Sequence, residues 1–276
     1  MKKIFFSLCV WLCISAKAQE LYPYAEPASN MPSHSISLKN TSIFQRDDYS
    51  NRNVQRHMPE LMFGLNKDWM LHLSTTVSNM HQQQMIWEGA RLYAKYRFLA
   101  NDDVHEHFRM ATFAAAAFSR NHLDHNEINI SMGDQSGVQA GLIATQLWNR
   151  IALSATGSWN EVLNDERWNK MYPDKYAVHA VNYSLSAGYL LLPFEYKDYN
   201  QTNVNLYAEL LGSRNIAFRE KYYVDFAPSV QAIFNSTAKL NLGYRFQLSS
   251  DIDRLAKNSW MISFEYIFLN ALKKKH

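Results

Sequence analysis

Cysteine is nearly missing from this chain: of 276 residues only Cys9 and Cys13 carry thiols, and both stand in the first twenty. That stretch, MKKIFFSLCVWLCISAKAQE, has lysines at its start, an apolar run to about Ile14, and Ala16-Lys17-Ala18 before Gln19. This is the layout of a secretory signal peptide with a small-x-small cleavage site. Residues 1–18 are expected to be removed, leaving a single domain, 19–276, without disulfides, thiolate metal sites or a cysteine nucleophile.

Excess charge is missing too. Taking Lys2, Lys3 and Lys17 from 28 basic residues leaves as many bases as the 25 acids. A nucleic-acid binder would carry a basic surplus, so nucleic acid is excluded as a partner. Long hydrophobic runs are also absent: past residue 20 none approaches the roughly 20 residues of a membrane helix. Glycine and proline are few, at 9 and 7, whereas aromatics reach 14%. An exported chain of this kind is either a soluble β-sandwich or an outer-membrane barrel.

What is there is alternation. In TAKLNLGYRFQL, Ala238, Leu240, Leu242, Tyr244, Phe246 and Leu248 share one face, and Lys239, Asn241, Gly243, Arg245 and Gln247 the other. NSWMISFEYIF, RIALSATGSWN, TNVNLYAEL and NYSLSAGYLL repeat the pattern. So does RLYAKYRF, where Leu92, Ala94, Tyr96 and Phe98 interleave with Arg91, Tyr93, Lys95 and Arg97. A period of two over segments of about ten residues predicts strands, centred near residues 40, 62, 74, 93, 112, 142, 155, 184, 207, 228, 243 and 264. Pro228, which lacks a ladder donor, predicts a bulge, a kink or a tolerated irregularity in its strand.

Connections alternate in length. Turns near 66–68, 101–103, 149, 196–201 and 235–236 are short, and polar links at about 47–57, 79–87, 120–136, 161–175, 212–221 and 250–258 are longer. Rings collect at strand ends: Trp69, Phe98, Phe108, Trp148, Tyr189, Phe234 and Phe268 beside short turns, and Trp87, Phe118, Trp159, Tyr222 and Trp260 beside long ones. A sandwich has no reason for rings at both ends of nearly every strand, but a protein between two headgroup layers does. The expected fold is all-β: a transmembrane antiparallel β-barrel of about twelve strands with both termini in the periplasm. Outward cations near the midplane would cost about 2–4 kcal/mol, which points Arg91, Lys95 and Arg97 into the lumen.

The stretches EPASNMP (26–32), FGLNKDW (63–69), LYAKYRFL (92–99), SGVQAGLIATQLW (136–148), NYSLSAGYLLLP (182–193) and LNLGYRFQL (240–248) resemble a family of uncharacterised outer-membrane β-barrel proteins of Gram-negative bacteria. More loosely they resemble outer-membrane transporters. The resemblance implies a barrel in outer-membrane lipid and brings no catalytic or binding residues.

By parity the lumen-lining candidates are Glu60, His72, Arg91, Lys95, Arg97, Arg109, Glu209, Asp225, Lys239, Arg245 and Glu265, with Lys39 and His107. Mixed signs serve either as the lining of a channel or, paired across the bore, as its filling. Near twelve strands a barrel lies between sizes filled by side chains and sizes filled by water. A second candidate set is soft: His57 with Met58, Met80 and His81 with Met85, and His122 and His125 with Met132, all expected in long loops. Imidazole and thioether suit copper, and imidazole zinc, but no spacing matches a defined site. For hydrolysis, His34-Ser35 and His179 near Ser184 and Ser186 are the close Ser/His pairings, the latter on opposite faces, and His122, Asp124 and His125 the carboxylate group. The expected function is a channel or transporter for small polar or charged solutes, with no cofactor. A non-conducting binding or structural barrel, handling metal through its loops, is the alternative, and an outer-membrane hydrolase the third.

Overall fold

The computed structural model describes residues 22–103, 106–122, 126–164, 177–194, 200–216 and 220–273. The expected signal peptide, His125 and Asp124 lie outside them. Twelve strands form one sheet: β1 (Ser35–Arg46), β2 (Asn53–Gly64), β3 (Trp69–Ser78), β4 (Ile86–Asp102), β5 (Glu106–Ser119), β6 (Gly137–Trp148), β7 (Ile151–Val162), β8 (His179–Leu192), β9 (Asn203–Asn215), β10 (Tyr222–Phe234), β11 (Ala238–Ser250) and β12 (Asn258–Phe268). Each pairs antiparallel with its sequence neighbour, and β1 closes on β12 from Ile36 opposite Phe268 to Gln45 opposite Ser259. Closure leaves no edge, which a sheet in hydrocarbon requires, because lipid offers an unpaired amide nothing to bond.

The sheet turns its oily face outward. Along β12 exposure alternates, with Trp260, Ile262, Phe264, Tyr266 and Phe268 open and Met261, Ser263, Glu265 and Ile267 buried. In β4, Leu92, Tyr96 and Phe98 are exposed while Tyr93 and Lys95 are buried, with Lys95 at 0% exposure. A fully buried lysine on the inner face and exposed leucines on the outer face make a soluble core on the oily side untenable.

The predicted strands are present, with one shift. The strand expected near residue 62 runs from Asn53, so the last part of the link predicted at 47–57, from Asn53 on, is strand. The polarity of its first half misleads: Val54 and Arg56 are buried inside, and Gln55 and His57 stand outside. At Pro228 there is no bulge. Pairing with β11 lapses at Ala227-Pro228 and resumes at Ser229 opposite Gly243 in unchanged register, and the shift lies instead at Val224/Asp225. Pro59 behaves alike, with pairing to β3 lapsing between His57 and Glu60.

β1 begins and β12 ends at the short-turn end. There Asn149, Asn235 and Ser236 take positive φ in the turns after β6 and β10, and Asn66 Oδ1 accepts the N–H groups of Asp68 and Trp69, both at 2.8 Å. Exposed rings mark both rims: Trp69, Phe98, Trp148, Tyr189, Phe234 and Phe268 at this end, and Trp87, Phe118, Trp159, Tyr222 and Trp260 at the other.

Candidate functional site

Inside the wall, the bore is occupied from both ends by the chain itself. Residues 22–34 precede β1, join no strand ladder and fold back up the lumen from the short-turn end. Met31 packs against Met62, Met70 and Ile267 near the entrance. Higher up, Arg109 Nη1 donates to Ser29 Oγ at 2.8 Å, and the Lys95 ammonium donates to the carbonyls of Pro27 and Ser29 at 2.8 and 2.9 Å and to Glu26 at 3.2 Å. Ala28 packs among Tyr93, Ala111, Phe113 and Ile143, and its N–H donates to Thr145 Oγ1 at 2.9 Å. At the apex the N–H groups of Tyr24 and Ala25 donate to the two oxygens of Glu209 at 3.0 and 2.9 Å, and Ser186 Oγ donates to the same carboxylate at 3.0 Å. Tyr22 then lies edge-on to Tyr207, at 5.4 Å between ring centres.

Two inward glycines make room for this segment. A Cβ at Gly64 would stand 2.2 Å from the Pro32 carbonyl, and one at Gly243 would stand 2.8 Å from the Tyr24 ring. Strand glycines where another backbone or ring comes close are the expected exception to their poor fit in sheets.

From the other end the β5–β6 connection turns inward. Ile128 and Ile130 pack with Val162, Ala177 and Ala180, and a short 3-10 turn at Ile130–Met132 ends at Gly133, with φ of 91°. Thr76 Oγ1 donates to the Met132 carbonyl at 3.2 Å. Asp134 is the latch: Arg56 donates to it, His81 lies 3.3 Å away, and Asn129 Nδ2 donates at 3.0 Å. Burial alone would raise the Asp134 carboxyl, but the Arg56 guanidinium and His81 outweigh it and hold the group well below the ordinary carboxylate range. Beside it Arg254 spans Glu127, at 3.1 Å, and Asp225, at 2.7 and 2.9 Å, and Arg245 Nε donates to Asp225 at 2.6 Å.

Between the two seals lies a cavity of about 270 Å³. Tyr24, Ala25 and Glu26 border it from one side and Asn129, Ser131 and Met132 from the other, with Lys39, Glu60, His72, Arg91 and Gln139 on the wall.

Each lumen candidate now has a place. Lys95, Glu209 and Arg109 hold the N-terminal segment. Asp225 and Arg245 belong to the loop seal. Lys239 and Glu265 pair at 3.1 Å, with Ser37 Oγ donating to Glu265 at 2.9 Å, and Glu60 takes His72 Nδ1 at 3.2 Å. Arg91 faces the cavity, whereas Arg97, on the Lys67 carbonyl and 3.8 Å from Asp68, is at the short-turn rim. His107 and Arg109 share Asp102 there, each at 2.9 Å.

Of the soft-ligand set the thioethers Met58, Met80 and Met132 pack in one apolar cluster, whereas His57 and His81 are engaged elsewhere. His57 is in β2, not a loop, and on the outer face: Ser42 Oγ lies 2.8 Å from its Nδ1 and Phe44 packs on its ring, while neighbouring Met58 lines the cavity. Met80 is buried with Ile43, Val54 and Met261, and His81 is committed to Asp134. His122 is described but its partner candidate His125 is not, and among the described residues no three His, Cys, Asp or Glu side chains form a metal-sized cluster. Of the Ser/His pairings, Ser35 Oγ donates to the Pro32 carbonyl, and His179 Nδ1 is 2.5 Å from Glu161.

Periodicity did not reveal Thr145, Ser186, Arg56, Asp134 or Arg254 as site residues. The N-terminal plug left one signal: three of the 7 prolines, Pro23, Pro27 and Pro32, fall within it, and such a density of missing ladder donors argues against a strand there.

No family model and no curated protein matches the sequence. Solved structures match over nearly their whole length. The COG4313 outer membrane channel from Pseudomonas putida F1 aligns at a TM-score of 0.58 and 11% identity, covering 90% of this chain and 100% of that one. The KdgM porin aligns at 0.55 and 8% identity, over 84% and 99%, and the NanC porin at 0.54 and 10%, over 84% and 98%. At such identities the likeness is one of fold: this chain is a closed antiparallel barrel of twelve strands, built like those proteins.

Proposed function

We propose that this protein resides in the outer membrane and is a gated channel for small polar or charged solutes, opened by displacement of residues 22–34 from the lumen. One observation carries the reading: the bore is filled by a segment outside the barrel sheet, held largely by side-chain hydrogen bonds. A strand ladder in lipid has no substitute partner, but the bonds of Lys95 and Glu209 to this segment can be exchanged for water or solute entering the bore. The wall left behind is polar and carries both signs of charge, as an aqueous path requires. The fold shared with two porins and an outer membrane channel supports the same reading.

The test is planar-bilayer recording of the purified protein beside Lys95→Met. The wild type is expected to show brief, small current steps and the variant longer or larger ones. Silence from both, with the barrel folded, would overturn the channel and leave a binding barrel.

A further inference from the structure

The cavity between the seals contains an unusual set of uncommitted atoms. Among the described residues, the side-chain atoms Arg91 Nε, Tyr24 Oη, Tyr93 Oη, Thr156 Oγ1, Asn182 Oδ1, His72 Nε2 and Glu60 Oε1 are buried without a hydrogen-bond partner, and all seven residues line this cavity. Buried polar atoms are ordinarily satisfied, so a cluster of exceptions around one cavity marks a place where a ligand completes them. His72 and Tyr93 are each 3% exposed, so bulk solvent does not complete them.

The identities of these atoms define the ligand. Lys39, Glu60, Ser74 and Arg91 stand in one row around the wall, paired in register across β1 to β4. The Arg91 guanidinium is held in place: its Nη2 donates to Gln139 at 3.3 Å, and its carbon lies 4.9 Å over the Tyr93 ring, which stacks on Phe113. Its Nε–H remains open in the cavity that the hydroxyls of Tyr24, Tyr93 and Thr156 also line. Lys39 adds a second cation to the row. Of the acids of the same cavity, Glu26 is paired with Lys95, and Glu60, 3.2 Å from His72 Nδ1, stands in the row between Lys39 and Arg91. With Lys39 and Arg91 on the wall against the single acid Glu60, the row carries an excess of positive charge and calls for an oxygen-rich anion. Two acceptors complete it, Asn182 Oδ1 and Glu60 Oε1. They call for hydroxyl hydrogens on the same ligand.

We infer that the cavity is a binding site for a small hydroxylated carboxylate, the carboxylate taken by Arg91 with Lys39 and the hydroxyls by Tyr93, Thr156 and Asn182. The gated-channel reading enters only as the route by which this ligand arrives.

Calorimetric titration of the full-length protein in detergent micelles tests it with three probes: gluconate, its neutral counterpart sorbitol, and the zwitterion glutamine. Gluconate is expected to bind saturably at one site, and sorbitol and glutamine at least about tenfold more weakly. Arg91→Gln is expected to weaken gluconate about tenfold or more, and Asn182→Ala to weaken gluconate but not acetate, which has no hydroxyl. Retained heat-modifiable mobility on gels shows that each variant is folded. Sorbitol binding as well as gluconate, or gluconate binding unchanged in a folded Arg91→Gln, overturns the proposal. Because the readout is equilibrium binding, a protein that conducts but does not prefer gluconate rejects this inference alone, and one that binds gluconate but never conducts rejects the channel alone.

Discussion

Lys95 is buried completely in a barrel wall, yet it is among the best-solvated side chains in the molecule, because three oxygens of residues 26–29 replace water around its ammonium. Each hydrogen bond to a charged group contributes about 1.5–3 kcal/mol when its loss leaves a buried group unmatched. Lys95→Met removes all three and leaves the carbonyls of Pro27 and Ser29 unmatched at their present depth. Residues 22–34 are then expected to leave the bore part of the time and to be cut by protease in micelles, while Lys95→Arg is cut much less. At the other end Asp134 makes a pH argument. Its folded pKa is depressed, so the stabilisation it gives the loop seal is fully present above the unfolded value of about 3.9 and is lost only as pH falls through the lower folded value. The wild-type loop is expected to keep one protease-resistance profile from pH 7 to about pH 4. Asp134→Asn, which strips Arg56 of its close partner, is expected to be cleaved in this loop across that whole range. A wild-type loop that opened on acidification near pH 5 would contradict the assignment.

At the scale of the strand, the controlling variable is which solvent each face meets. Leu242 in β11 stands outward, opposite Val230 and Ile262, so Leu242→Arg puts a cation into hydrocarbon at a cost of about 2–4 kcal/mol. Urea titration in lipid vesicles is expected to show that loss, and an unchanged midpoint would place this face against something other than lipid. The same variable explains what could be read from residues alone. β4, β7, β11 and β12 were legible because each outer position answers to lipid, a uniform environment that imposes one rule along the strand. β2 was legible only in part, since its upper half buries Val54 inside and puts His57 outside, and Arg56, the latch for Asp134, was hidden in what reads as a loop. The lumen candidates could be assigned to a face, because parity reports direction. Their partners could not: Tyr24 and Ala25 meet Glu209 across 185 and 184 residues, and no local pattern encodes a contact of that range.

For the molecule as a whole, the question is whether the filling moves. A lumen filled from below by residues 22–34 and from above by the β5–β6 loop, with a polar cavity between, would on the proposed reading be two gates around a site, and the lower segment can be locked chemically. The Ala28 N–H reaches Thr145 Oγ1 at 2.9 Å, so the two residues are in contact and are the positions chosen for a cysteine pair. Past residue 20 the chain has no cysteine of its own, so an Ala28→Cys, Thr145→Cys pair has no competing thiol in the barrel. Oxidation is expected to hold the segment in the bore and suppress the current steps of this double variant, and a reductant added to the same bilayer to restore them. The single variants control for loss of the Thr145 bond, since neither can be locked and both are expected to conduct with or without oxidant. If the cross-linked protein conducts as freely as the reduced one, the segment is fixed filling and solute passes by another route. If reduction alone switches the current on, displacement of residues 22–34 is the opening step.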